Sequence, residues 1–159
     1  MVIKMNILYN LPKRYKPGRP MFHENGKVSE RVRGGLENVL DVYTKIAEMQ
    51  SRVTDNNLAN YVVRNVYIVG SGARNNRIDS DMDLLLLVPR LDEGSAKNIR
   101  VMMTLMFFAD KPKPWAIDVF IRKEDIYPDR ESIEVTRQLE SLIDQYNRLL
   151  LSPKEAISS

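Results

Sequence analysis

Cysteine is absent from this chain of 159 residues, and histidine occurs once, at His23. The first absence excludes disulfides and thiolate metal sites. With a lone histidine as well, the nitrogen and sulfur donors that zinc favours are missing. A Ser-His-Asp hydrolase is equally hard to assemble from these residues, because nothing near His23 resembles a nucleophile elbow. No apolar run approaches the ~18 residues of a membrane span, and the N-terminus lacks a signal-peptide core. The expectation is a soluble, cytoplasmic protein with no membrane partner. Internal repeats and low-complexity segments are lacking too.

What is present is enough apolar material, 43% of residues, for one compact domain. The formal charge of +3 is unevenly spread: residues 1–35 hold eight basic side chains against Glu24 and Glu30, so the remainder is net negative. A basic segment beside an acidic body suits phosphates, nucleic acid or an acidic partner surface. Residues 1–28 mix Pro12, Pro17, Gly18, Pro20 and Gly26 with these charges and read as an irregular arm, with one short strand over residues 2–8. Residues 29–152 form the expected domain, and the tail from Pro153 is expected to fray.

Within that domain, Ser29 caps a helix to about Arg52 whose apolar residues Val32, Leu36, Val39, Tyr43, Ile46 and Ala47 recur at helical spacing. Gly34-Gly35 weakens its first turn. Tyr61 to Val69 is β-branched and aromatic, hence a strand ending at Gly70. Asp81 to Val88 is a second strand, stopped by Pro89, and its unbroken apolar run suits a central position. Residues 94–109 carry Ile99, Met102, Met103, Met106 and Phe107 at helical spacing up to Lys111-Pro112-Lys113-Pro114. Trp115 to Arg122 is a third strand. A last helix is expected over residues 130–151, with Val135, Leu139, Leu142, Tyr146 and Leu149 along one stripe. The fold class is therefore α/β in content, an α+β arrangement of a small mixed sheet flanked by helices.

Three acids stand out against these strands. Asp81 and Asp83 lie two residues apart, so both side chains leave one face of a strand about 6.6 Å apart along the chain. Met82 points the opposite way, into the core. Asp118 sits inside the apolar run from Trp115 to Phe120, where an unpaired charge is costly. Two carboxylates about 4 Å apart repel by about 4 kcal/mol at an effective dielectric near 20, so a cluster needs cations or a raised pKa. Oxygen-only ligands select Mg²⁺ or Mn²⁺. Taken singly, Asp-x-Asp fits a solvent-facing strand edge and Asp118 a salt bridge to a neighbour such as Arg122; their order and apolar setting favour a joint role. Asp79 shares the parity of Asp81 but precedes the apolar run, which assigns it to the turn.

Upstream, Gly70-Ser71 ends the first strand and permits close backbone approach of a phosphate at the start of a short helix, although Ser is also an ordinary helix cap. Arg74 and Arg77 lie between this turn and the acids and are candidates to neutralise a triphosphate, or else a solvated basic turn.

The pattern Val69-Gly70-Ser71, nine residues, then Asp81-Met82-Asp83-Leu84 resembles the nucleotidyltransferase superfamily that includes DNA polymerase β. With Gly72-Ala73-Arg74 and Ser80, it looks most like the minimal nucleotidyltransferases, the group that includes antitoxins paired with HEPN toxins. The resemblance runs from about Val62 to Arg122. It implies Asp81 and Asp83 as metal ligands, Asp118 as the third carboxylate activating an acceptor hydroxyl, and Gly70 and Ser71 on the phosphates of a nucleoside triphosphate. The expected activity is Mg²⁺- or Mn²⁺-dependent transfer of a nucleoside monophosphate from an NTP to that hydroxyl. The acceptor, whether protein, RNA or small molecule, would come from the basic arm, a second subunit in a homodimer, or a partner. The alternative is a catalytically weak, antitoxin-like member that acts by covering a toxin-like protein partner.

Overall fold

The computed structural model describes residues 14–152. The strand expected over residues 2–8 and the tail from 153 lie outside them. The first helix, α1 (Glu30–Thr54), runs two residues past its expected end and stops at Asp55 in the left-handed conformation. Every apolar residue that defined its periodicity is buried. After a 3₁₀ turn (Leu58–Tyr61) come β1 (Asn65–Val69), the short α2 (Gly70–Asn75), β2 (Met82–Val88), α3 (Glu93–Phe107), β3 (Ile117–Lys123), β4 (Ile133–Glu134) and α4 (Glu140–Leu151).

The sheet order is β3-β2-β1-β4. The central strand β2 runs antiparallel to β1 and parallel to β3, so the sheet is mixed, as expected. Strand parity then divides its two faces. Met82, Leu84, Leu86 and Val88 join Val66, Ile68, Ile117, Val119 and Ile121 in one core with residues of α1, α3 and α4. Each fully buried side chain of this size contributes about 1.5–3 kcal/mol of transfer free energy. Asp83, Leu85 and Leu87 face the other way and lie outside that core. Helix α3 packs beside β3, the strand at the sheet's edge.

Two elements start later than expected. The strand starts at Asn65 rather than Tyr61, because neighbouring side chains take the preceding backbone groups. Asn147 of α4 binds both the N–H and the C=O of Val63, each at 2.9 Å, and Tyr43 donates to the carbonyl of Tyr61 at 2.6 Å. The last helix starts at Glu140, ten residues late. Val135 and Leu139 are buried as their spacing suggests, but Ile133–Glu134 pairs with β1 and the Val135 N–H continues to Val66 O at 2.9 Å.

The described part of the arm is irregular, as read from its residues. Residues 14–28 hold no helix or strand beyond a single bridge, Phe22 with Val28, yet they are packed against the body. Tyr15 and Met21 belong to the main core. The Asn76 side chain accepts from the N–H groups of Met21 and Phe22 at 2.7 and 2.9 Å. Gly34 and Gly35 have a packing role: a Cβ at Gly34 would enter the Arg14 carbonyl, and one at Gly35 would enter Met82 and the Tyr15 ring. The helical propensity lost there, about 1 kcal/mol per glycine, is exchanged for close approach of residues 14–15.

Candidate active site

The side of the sheet that faces away from the core carries the acids. Asp83 is directly paired in register with Asp118 on β3 and with Val69 on β1. Neighbouring strands lie about 4.8 Å apart, so two carboxylates are held side by side across the parallel ladder. Asp81 precedes β2 by one residue, and its carboxyl is near enough to Asp83 to raise the Asp83 carboxyl. Gly70, at φ +68°, follows Val69, and a Cβ there would collide with Asp83 Oδ2. Glycine at this position therefore lets the first turn of α2 approach the Asp83 carboxylate, with Ser71 half-buried beside it.

The electrostatics follow from this crowding. Burial, followed by the neighbouring charges of Asp81 and Asp118, pushes the Asp83 carboxyl up to about 7, with Lys113 opposing. Burial also raises Asp118, against the pull of Arg100. Two cations flank the cluster: Lys113 Nζ lies 3.8 Å from Asp81 Oδ1, and an Arg100 terminal nitrogen lies 3.6 Å from Asp118 Oδ1. The Arg100 guanidinium also sits 4.4 Å above the Phe120 ring. Neither cation stood out in the sequence. The hint for Arg100 was its place next to Ile99 on a helix that must cover β3; for Lys113 it was the short link between two prolines leading into that strand. The expected alternative partner of Asp118, Arg122, does not supply its ion pair; Arg100 does.

Arg74 and Arg77 are engaged elsewhere. Arg77 forms a two-pronged contact with Asp79 at 3.0 and 2.8 Å, which holds the Asp79 carboxyl below its ordinary value. Arg74 reaches Glu131 at 3.3 Å. Both pairs are exposed and weak, so an incoming polyphosphate can compete for either arginine. Asp79 lies in the turn before β2, as its position suggested.

The donor set suits a hard divalent cation: carboxylate oxygens with no sulfur or imidazole. One buried atom, Asp118 Oδ1, has no hydrogen-bond partner, and the ion pair to Arg100 at 3.6 Å leaves it under-satisfied. Among the described residues no group of three or more acidic or histidine side chains is arranged to hold a metal ion. Asp81 and Asp118 are each turned toward a cation of the chain itself, so metal binding requires their reorientation.

Beside Asp83 and Gly70 a cavity of about 270 Å³ opens over the sheet. Leu85 and Phe120 line it from the strands, and Tyr127 and Ser132 from the loop that follows β3. Tyr127 is 93% exposed. Asp83, Arg122 and Asp129 share this lining with the apolar and aromatic side chains, so the cavity is of mixed character. Elsewhere, none of the helices among the described residues is long and apolar enough to cross a membrane. No protein-family model, curated protein or solved structure matches the chain.

Proposed function

We propose that the protein is a metal-dependent nucleotidyltransferase, moving a nucleoside monophosphate from an NTP to an acceptor hydroxyl. The observation that carries this reading is the in-register pair Asp83 and Asp118, with Asp81 adding its charge to Asp83 beside Gly70. Asp81 and Asp83 would hold Mg²⁺ or Mn²⁺, with Asp118 completing the set. The bound ion supplies neutralisation of phosphate charge and of the acid cluster.

The chain's own residues supply the rest. Gly70 and Ser71 admit the phosphates to the edge of Asp83, and Arg74 and Arg77 exchange their exposed carboxylates for phosphate oxygens. The cavity floored by Leu85 and Phe120 receives the nucleoside. Asp118, raised by burial, accepts the proton of the acceptor hydroxyl. The acceptor oxygen then bonds to the α-phosphorus, the bond from that phosphorus to the β-bridging oxygen breaks, and pyrophosphate leaves. Incubation with α-labelled NTPs, Mg²⁺ and protein, RNA or small-molecule acceptors tests this. Label transfer by the wild type and none by Asp83→Asn is expected; equal transfer by both would exclude the proposal.

One observation favours a second reading. Lys113 and Arg100 already pair Asp81 and Asp118 within the chain, an arrangement compatible with a binding protein that needs no metal and acts, antitoxin-like, by covering a protein partner. A partner complex that forms equally with the wild type and Asp83→Asn, from a protein that binds no Mn²⁺, is the outcome that selects it.

A further inference from the structure

Arg31 is fully buried in the first turn of α1, and all its hydrogen bonds go to neutral oxygens. Its Nε donates to the Tyr15 hydroxyl at 2.7 Å. One terminal nitrogen donates to the carbonyls of Arg19, Arg77 and Ile78 at 3.0–3.3 Å. The other reaches the carbonyls of Ser80 and Pro114. Burying a guanidinium without a carboxylate costs several kcal/mol unless its donors are satisfied. Here five backbone carbonyls and a phenol take the place of water.

The positions of those acceptors give the arrangement its meaning. Ser80 immediately precedes Asp81, and residues 77–80 form the turn into β2. Pro114 leads through Trp115 and Ala116 into β3 and Asp118. Tyr15 binds the same Pro114 carbonyl through its own hydroxyl at 3.1 Å, and that hydroxyl lies in the field of Arg31, Asp81 and Asp83 together. Between the two lead-in segments, Met82 N–H donates to Ala116 O at 3.1 Å, starting the parallel ladder. A planar guanidinium with five fixed donors can tie two chain segments at set spacing; a lysine ammonium cannot reproduce that fork.

We infer that Arg31, with Tyr15, is a positioning residue that sets the spacing of Asp81 and Asp118 for metal binding by holding the turns that lead into β2 and β3. It touches neither substrate nor metal. The inference rests on the proposed metal role of the acids, and it makes residues 14–31 part of the site's framework rather than a separate arm.

Arg31→Lys keeps the charge and removes the fork, so it isolates positioning from electrostatics. Two measurements on the full chain, well below the midpoint of thermal unfolding, decide the matter. Mn²⁺ titration followed by electron paramagnetic resonance should show about tenfold weaker binding than wild type, the scale typical of losing a residue that orients metal ligands. Hydrogen exchange should show protection lost selectively at Met82 and residues 115–118, with the centre of the sheet unchanged. Tyr15→Phe should give the same pattern with smaller amplitude, and it serves alone if Arg31→Lys does not fold. Unchanged Mn²⁺ affinity, or protection lost evenly over the whole sheet, would overturn the inference and leave Arg31 a general stabiliser. If the wild type itself binds no Mn²⁺, the metal reading fails separately and the exchange pattern decides whether Arg31 holds the two lead-in segments.

Discussion

Both faces of β2 bury leucines, Leu84 and Leu86 on one and Leu85 and Leu87 on the other, and they part at Asp83. Met82, Leu84, Leu86 and Val88 are fully buried in the core shared with the helices, while Asp83, on the opposite face, is crowded by two other carboxylates. One face gains free energy from removal of apolar area from water. The other also holds carboxylates in partial burial, an arrangement unfavourable on its own and relieved by a proton or a cation. Period-2 alternation lets one strand carry both roles.

The sharpest break in this comparison is on the acidic face. Asp118→Asn should lower nucleotidyl transfer by about 10²–10⁴-fold, the range for loss of a general base, and leave the thermal midpoint near that of wild type; steady-state label transfer and a melting curve measure both. Leu84→Ala is its mirror image. It should cost about 2–5 kcal/mol of folding stability, read by denaturant titration, with transfer per folded molecule preserved.

A subtler break uses pH. The Asp83 carboxyl stands at about 7 in the folded chain against about 3.9 in an unfolded one, so the folded state binds the proton more tightly. Stability associated with Asp83 is then fully present below about pH 4, falls as pH rises toward 7, and is lost above it. Asp83→Asn should be the more stable protein at pH 8, and its advantage should vanish near pH 4. Because the proton competes with metal for the same oxygens, Mg²⁺ should restore stability to the wild type at pH 8 far more than at pH 6. The smallest expected effect is at the cavity's rim: Tyr127→Ala should raise KM for the NTP several-fold while changing stability by less than about 0.5 kcal/mol.

The same contrast explains what could be read in the residues beforehand. The core-facing Met82, the strand positions of Asp83 and Asp118 and the body of the third helix follow from local periodicity; that helix ends at Phe107, ahead of the prolines expected to stop it, and Asp81 lies just outside β2. Contacts between distant segments left no such trace. Val135 and Leu139 fit a helical stripe, yet the residues before them join β1 through only two paired positions, too few to leave a strand pattern. Tyr61 to Val63 has strand composition, but the amide of Asn147, 84 residues away, claims the backbone of Val63. Tyr15 and Met21 were two apolar residues among prolines, glycines and charges, and nothing local marked them as core. Arg100 and Lys113 escaped for the same reason, since pairing across elements has no spacing rule.

Everything proposed for the acidic face depends on its being a metal site built for an NTP. Titration of Mn²⁺ into the wild type and Asp83→Asn at pH 8, with and without a non-hydrolysable NTP analogue, tests this without any acceptor. Mn²⁺ should bind the wild type, more tightly with the analogue present, and binding should be lost in Asp83→Asn. Equal binding by the two proteins, or none by either with the analogue present, would contradict it.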